Sequence, residues 1–198
     1  MIILASASPR RRELLSSIFE EFTIIKSEKD EIVTKVLPDE IVTELSEQKA
    51  LEVWQKAQKE NRLSQNTLLI AADTLVFLDG KRMGKPKDKE DAVNMISALA
   101  GKSHEVYTGV TLLWGNKDGF DKKSFYEATK VCFNEIDLKD IESYVASGEP
   151  MDKAGAYAIQ GKFAKHIKGI DGEYANVVGL PIARLYQEIK EIGGFTYE

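Results

Sequence analysis

The 198-residue chain predicts a mixed-sheet α/β protein, a twisted sheet flanked by helices, and three observations carry that expectation. Short β-rich apolar runs alternate with segments of helical periodicity. A long pair of β-rich segments, Glu105–Trp114 and Ser124–Ile136, is separated by the turn-rich stretch Gly115–Gly119 and adds antiparallel pairing. Apolar residues make up 43% of the chain and charged residues 30%, enough to bury a core without staples. The length fits one domain spanning 1–198, with no repeat, low-complexity tract or Gly/Ser linker to divide it.

Taken in order, Ile2–Ala5 reads as a buried strand, and Ser8-Pro9 opens a helix with a capping hydroxyl followed by proline at the first position. Phe22–Lys26 reads as a second strand. Asp39 to about Lys59 forms a helix whose apolar face holds Ile41, Leu45, Val53, Trp54 and Ala57. Thr67–Ala72 is a central strand ended by Asp73, Leu75–Leu78 continues it, and Asp79-Gly80 marks a hairpin turn. Lys89–Leu99 is amphipathic, with Gly101 placed to end it. Asp137 caps a helix through Ile141, Tyr144 and Val145, and after a Gly-rich stretch Pro181 starts the last helix, with Ile182, Leu185, Tyr186 and Ile189 inward.

Composition narrows function. The one cysteine, Cys132, rules out an internal disulfide framework and Cys-based zinc, and two histidines make a His-built zinc site a poor expectation. No apolar run approaches a membrane span. The basic residues near the start follow the apolar run, the wrong order for a signal peptide, so a reduced cytoplasmic protein with no membrane partner is expected. A net charge of −5, from 27 basic and 32 acidic residues, argues against a basic face for nucleic acid. Yet three of the six arginines are consecutive, Arg10, Arg11 and Arg12, which suits a small, highly charged anion. A solvated helix face is the bland alternative.

Candidate chemistry gathers at a few places. Ser6-Ala-Ser-Pro-Arg-Arg11 combines hydroxyls and guanidiniums at a strand-to-helix junction. Positive charge in a first turn opposes the helix dipole, so stability alone would not choose it, and a phosphate receptor is the better account. Asp73, at the carboxyl end of a buried strand, could hold a metal or activate water, or be a turn carboxylate. Lys85, between Gly84 and Pro86, could meet a phosphate as a point charge. Asp30-Glu31 could ligate a hard cation. Lys49 lies on the long helix. Gly101-Lys-Ser103 lacks the upstream glycine of a P-loop and is set aside. The stretch Gly148–Gly161 is flexible in composition but carries Ala154, Tyr157 and Ile159, which suits a segment packed around a site. There Gln160 could read a base edge and Tyr157 could pack on a ring. Neither His104 nor His166 sits beside a nucleophile, and Cys132 reads as a packing residue.

Several of these stretches occur together in one known pattern: Leu4-Ala-Ser-Ala-Ser-Pro-Arg-Arg11, Gln48-Lys-Ala50, Ala72-Asp-Thr74, Gly84-Lys-Pro86, Thr108-Gly-Val110, Gly148–Gly161 and Asn176-Val-Val-Gly-Leu-Pro181. In order and spacing the chain resembles the Maf family of nucleoside triphosphate pyrophosphatases over nearly its whole length. The resemblance implies an ITPase-like fold with two lobes around a deep cleft. It also implies a nucleoside triphosphate as substrate, cleaved to the monophosphate and pyrophosphate, and a divalent cation, Mg²⁺ first, with Mn²⁺ or Co²⁺ as alternates. By the same resemblance Asp73 is the proton acceptor, and Ser8, Arg10, Arg11, Lys49 and Lys85 handle phosphates. Glu31 joins Asp73 as a metal-binding acid, while Arg11, Thr74 and Gln160 stand where the base is chosen.

Asp73-Thr74 and Ile159-Gln-Gly161 look like the branch acting on dTTP and UTP. A glutamine amide can both accept from and donate to the uracil or thymine edge. The 7-methyl-GTP branch carries glutamate there. Alanine at position 7 and Leu75 depart mildly from the family pattern, away from the assigned chemistry. The alternatives are the 7-methyl-GTP activity and a nucleotide-binding regulator of cell division, suggested by the family's association with septum formation. A single-strand nucleic-acid binder would need an aromatic and basic stripe that the chain lacks. The family also admits a homodimer, though no stretch of sequence demonstrates one.

Overall fold

The computed structural model describes residues 1–195. Seven strands form one mixed sheet: β1 (Ile2–Leu4), β2 (Thr23–Ile24), β3 (Thr67–Leu78), β4 (Lys81–Met83), β5 (Ser103–Asn116), β6 (Gly119–Phe133) and β7 (Ile167–Asp171). The order is β2-β1-β3-β5-β6-β7, with β4 added to β3. Six helices cover it: α1 (Pro9–Leu15), α2 (Pro38–Lys59), α3 (Lys89–Leu99), α4 (Leu138–Ala146), α5 (Tyr174–Val178) and α6 (Ile182–Ile192). The mixed sheet flanked by helices is the fold class expected from the sequence. Among the described residues no helix is long and apolar enough to cross a membrane.

The central strand sets the plan. On one edge β3 pairs antiparallel with β5 from Thr67 to Phe77. On the other edge it pairs parallel with β1 at Leu68–Ile70 and antiparallel with β4 at Val76–Leu78. Between those two short partners, residues 71–75 have no neighbouring strand on that edge, and the sheet is open there. Asp79 and Gly80, with φ of 50° and 73°, make the tight turn that folds β4 back on β3.

Side chains along β3 alternate between faces. Leu68, Ile70 and Ala72 pack with Leu15, Leu180, Leu185 and Ile189 beneath α1 and α6. Leu69 and Ala71 pack with Ala50, Val53 and Trp54 of α2, and Leu75 and Phe77 meet its first turns at Ile41, Val42 and Leu45. The expected apolar face of α2 is buried as a whole. Its close seat on the sheet depends on Gly109, where a Cβ would lie 2.2 Å from the Val42 carbonyl oxygen. Gly109 is the partner of Asp73 across β3 and β5, so that close approach also sets the height of α2 over Asp73.

Elsewhere the structure redraws several expected boundaries. Asp73 does not end its strand; β3 runs unbroken to Leu78 because β5 pairs with it throughout. The strand expected at Phe22–Lys26 is reduced to two residues. The central hairpin is longer at its tip, pairing Asn116 with Gly119. The second strand starts before the expected Ser124, so Asp121, Lys122 and Lys123 belong to β6, where Lys122 pairs with Glu47 and Lys123 with Glu188 and Glu191. Two elements went unforeseen, β7 and α5. The Gly-rich stretch folds into the 3₁₀ turns Glu149–Asp152, Ala154–Ala156 and Gly161–His166.

Candidate active site

The break in pairing along β3 is where chain segments converge. β1 leaves the sheet just after Ala5, whose N–H still donates to the Ile70 carbonyl, and the chain turns through Ser6–Ser8 into α1. From the opposite end β4 delivers Arg82 and then Gly84-Lys85. The result is a cleft of about 480 Å³, within the usual range for small-molecule sites. All nine residues singled out from the sequence line it: Ser8, Arg10, Arg11, Glu31, Lys49, Asp73, Thr74, Lys85 and Gln160. Asp30, offered beside Glu31, does not.

The alternation of β3 explains how two adjacent residues serve different walls. Asp73 lies on the face of Leu69 and Ala71 and therefore meets α2; Thr74 lies on the opposite face and meets α1 and α5. Asp73 is 7% exposed, and its Oδ1 accepts a hydrogen bond from Lys49 Nζ. The same ammonium stands 2.8 Å from Glu31 Oε1, so Lys49 bridges the two carboxylates. Burial by itself would raise the Glu31 carboxyl, but the Lys49 hydrogen bond and charge, with Arg82 and Lys85 further off, hold it below the ordinary glutamate range.

On the other face Thr74 is locked in a chain of hydrogen bonds. Arg11 Nη2 donates to Thr74 Oγ1 at 2.9 Å, and Arg11 Nε to the Gly179 carbonyl at 2.7 Å. Thr74 Oγ1 lies 2.9 Å from Thr108 Oγ1, which donates onward to the Asn176 carbonyl at 3.0 Å. Asn176 Nδ2 donates to Val106 O and Thr129 Oγ1, both at 3.0 Å. Burial lowers the Arg11 guanidinium from its usual range, against the pull of Asp73.

This corrects one expectation about the basic run. Arg10 and Arg11 are not an equivalent pair of phosphate hooks: Arg11 is turned inward and engaged, whereas Arg10 forms no ion pair among the described residues. Because α1 has only seven residues, the anion-binding character of the junction rests on these side chains rather than on a long helix dipole. Ser8 is the expected cap, its Oγ accepting from the Arg11 N–H at 3.4 Å.

Comparison with known proteins adds a second line. A family model described as Maf-like protein matches residues 1–192. The chain belongs to the Maf-like protein family. Relatives include a protein of Agathobacter rectalis, 50% identical over 97% of each chain, and one of Lachnoclostridium phytofermentans, 45% identical over 97% of this chain and 95% of that one. Both carry the name dTTP/UTP pyrophosphatase. A solved dITP/XTP pyrophosphatase from Mycobacterium abscessus aligns at 14% identity with a TM-score of 0.40, covering 68% of this chain and 74% of that one, too distant to carry an argument.

Within this Maf-like cleft the carboxylates suit a cation. Asp73 Oδ2 is buried with no hydrogen-bond partner among the described residues, and a buried polar oxygen left so is costly unless a ligand meets it. Among the described residues no group of three or more acids, histidines or cysteines comes together. Two carboxylates are what Mg²⁺ needs from protein when substrate phosphates complete its shell. Glu31 and Asp73 therefore fit a hard divalent ion.

The cleft also contains residues that the sequence did not single out. Arg82 is exposed and forms no ion pair among the described residues; its only signal was the Asp79-Gly80 turn, which dictates that β4 runs back along β3. Asp152 and Lys153 pair with one another at the opposite wall, with the Arg10 charge near enough to help depress the Asp152 carboxyl, after the Lys153 hydrogen bond. Tyr157 lines the cleft but is mainly a core residue. Its hydroxyl lies 2.8 Å from His104 Nε2, and its ring packs edge-on against Phe133. His104 and His166 are both buried, and each leaves one ring nitrogen, His104 Nδ1 and His166 Nε2, without a hydrogen-bond partner among the described residues. Cys132 is half-buried beside Ser103, away from the cleft.

Proposed function

We propose that this cleft hydrolyses the bond between the α- and β-phosphates of a nucleoside triphosphate, dTTP and UTP foremost, to the monophosphate and pyrophosphate. The observation that carries the reading is the juxtaposition of Arg10, Arg82 and Lys85, unpaired among the described residues, with a carboxylate pair whose buried Asp73 Oδ2 is unsatisfied there. A triphosphate brings close to four negative charges, and an acidic protein draws it in only through a local basic cluster. The printed names of the relatives point to the same reaction.

In this mechanism Arg10, Arg82 and Lys85 take the phosphate chain, with Ser8 as a further hydroxyl contact. Asp73 accepts the proton of the attacking water on its carboxylate. Water oxygen bonds to the α-phosphorus as the bridging oxygen leaves with the pyrophosphate, and no covalent intermediate on the protein is needed. Lys49 keeps Asp73 and Glu31 oriented, and its charge holds the Glu31 carboxyl below the ordinary glutamate range. Glu31 and Asp73 would hold the divalent cation, Mg²⁺ by the chemistry of its donors, which supplies charge neutralisation at the phosphates.

The Gln160 side chain makes no hydrogen bond among the described residues, so both halves of its amide remain for a base. The O4 and N3–H edge shared by uracil and thymine matches them, and glutamate could not donate in its place. Thr74 and Arg11, already bonded to one another, present a fixed surface opposite. The methyl group that separates the two bases is worth only a modest preference, so both are substrates.

Pyrophosphate release from dTTP, UTP, CTP, GTP and 7-methyl-GTP, with Mg²⁺ and with chelator, tests this reading. Metal-dependent release confined to dTTP and UTP is expected. Release from 7-methyl-GTP alone would overturn the role given to Gln160, and silence on every substrate would leave a nucleotide-binding regulator as the reading to adopt.

A further inference from the structure

The segment that brings Glu31 to the cleft has few of the usual reasons to hold its shape. Residues 26–37 contain no helix or strand. The apolar side chains Ile32, Val36 and Leu37 are 66%, 84% and 57% exposed, so this stretch is not pinned by burial in the core. A half-exposed ion pair such as that between Glu31 and Lys49 is a weak tether for a chain of this length.

Its backbone is gripped instead by one stripe of α2. Glu44, Gln48 and Glu52 are spaced by four residues and so share a helix face. Glu52 Oε1 accepts from the N–H groups of Glu28 and Lys29 at 2.9 and 3.2 Å, and its Oε2 accepts from the Ser27 hydroxyl. Glu44 Oε2 accepts from the Thr34 N–H at 2.9 Å, and its Oε1 from the Thr34 hydroxyl. Between them Gln48 holds the Ile32 residue at both ends: Oε1 accepts from the Ile32 N–H at 3.0 Å, and Nε2 donates to the Ile32 carbonyl at 2.5 Å.

This arrangement replaces a β-ladder with side chains. Its register matters for chemistry, because Ile32 follows Glu31 and Lys49 follows Gln48. Two successive α2 residues thus take the backbone and the carboxylate of two successive loop residues. We propose that Gln48, flanked by Glu44 and Glu52, is a positioning residue that holds Glu31 at the height of Lys49 and Asp73. The purpose assigned to the clamp rests on the proposed role of Glu31 in holding a cation; the clamp itself does not. Gln48 does not line the cleft and does not touch substrate.

The test uses the full chain with Gln48→Ala, Gln48→Glu and, as a control on the same helix, Gln58→Ala, whose side chain reaches Lys117 instead. Amide exchange of the metal-free protein is followed for residues 28–34, and the Mg²⁺ dependence of pyrophosphate release from dTTP is measured alongside. In Gln48→Ala, exchange at Ile32 and Thr34 should rise about tenfold with the rest of the chain unchanged. The Mg²⁺ concentration for half-maximal rate should rise about tenfold, with kcat at saturating Mg²⁺ within about threefold of wild type. Gln48→Glu keeps the acceptor but loses the donor and should fall between.

Unchanged exchange in both Gln48 variants would overturn the clamp. Faster exchange with an unaltered Mg²⁺ requirement would overturn its positioning role. A wild-type rate indifferent to chelator would instead overturn the assignment of Glu31 to a cation, and these failures are distinguishable from one another.

Discussion

The two sides of the cleft are built on opposite plans. On the side of α1 and α5, Arg11, Thr74, Thr108 and Asn176 bond to one another and to backbone, and most of their capacity is used before any ligand arrives. On the side of β4 and the loop before α2, Arg82 and Lys85 stand unpaired among the described residues, as does Arg10 at the start of α1, and Glu31 rides on a segment held by polar contacts along α2. A shape-selective wall has to be rigid to discriminate, whereas a wall receiving close to four charges must keep cations uncommitted. Asp73 and Thr74 are adjacent, but the strand sends one side chain to each wall, so β3 joins the two plans.

The largest effect should come from breaking the hinge between them. Asp73→Asn keeps the shape but removes the base, and turnover should fall by about 10²–10⁴-fold with the unfolding midpoint nearly unchanged. A variant with close to wild-type turnover would remove Asp73 from the mechanism.

The rigid wall extends beneath Tyr157 to His104, whose pKa burial lowers to about 4. The unfolded chain therefore binds a proton that the folded one refuses between about pH 6.5 and 4, so stability is full above that window and lost as pH falls through it. The loss from His104 amounts to about 3 kcal/mol, with a further contribution of the same sign from His166. Urea unfolding at pH 7 and 4.5 measures it, and His104→Gln, which keeps an acceptor for the Tyr157 hydroxyl, should flatten the slope.

Thr108→Val strikes the rigid wall directly. It strands the Asn176 carbonyl and frees Thr74, and should cost about 1–3 kcal/mol in urea unfolding. The accompanying fall in kcat/KM should be similar for dTTP and UTP. Gln160→Glu, by contrast, should spare stability and lower dTTP and UTP hydrolysis by about tenfold or more. Equal loss on every nucleotide would make Gln160 a structural residue.

The smallest effect belongs to the open wall. Arg82→Ala removes one of several exposed cations, so KM should rise only about two- to fivefold, with kcat held. That rise should shrink as salt is added. A large loss of kcat would show that the open wall does more than collect charge.

These walls differed in how far the sequence disclosed them. The phosphate side announced itself chemically, since Arg10 opposes the local dipole, Lys49 and Lys85 fall in family motifs, and Asp30-Glu31 reads as a pair of hard-cation ligands. The rigid wall did not. Thr108 and Asn176 lie in recognisable motifs, but the Thr108 hydroxyl meets partners 34 and 68 residues away and the Asn176 amide meets partners 70 and 47 residues away, which no local pattern encodes. The opening beside Asp73 was likewise misread as a strand end, because it arises from where β1 and β4 stop, not from β3 itself. β7 was missed because Ile167–Asp171 is short, glycine-containing and mostly exposed, and α5 because five residues without a side-chain cap leave little periodicity to detect.

The central claim is that Asp73, at the junction of the two walls, directs water to the α-phosphorus. Identification of the products from UTP in wild type and in Asp73→Asn tests it most directly. UMP and pyrophosphate in equal amounts from the wild type, and nearly none of either from the variant, is the expected result. UDP and inorganic phosphate, or undiminished UMP from the variant, would contradict it.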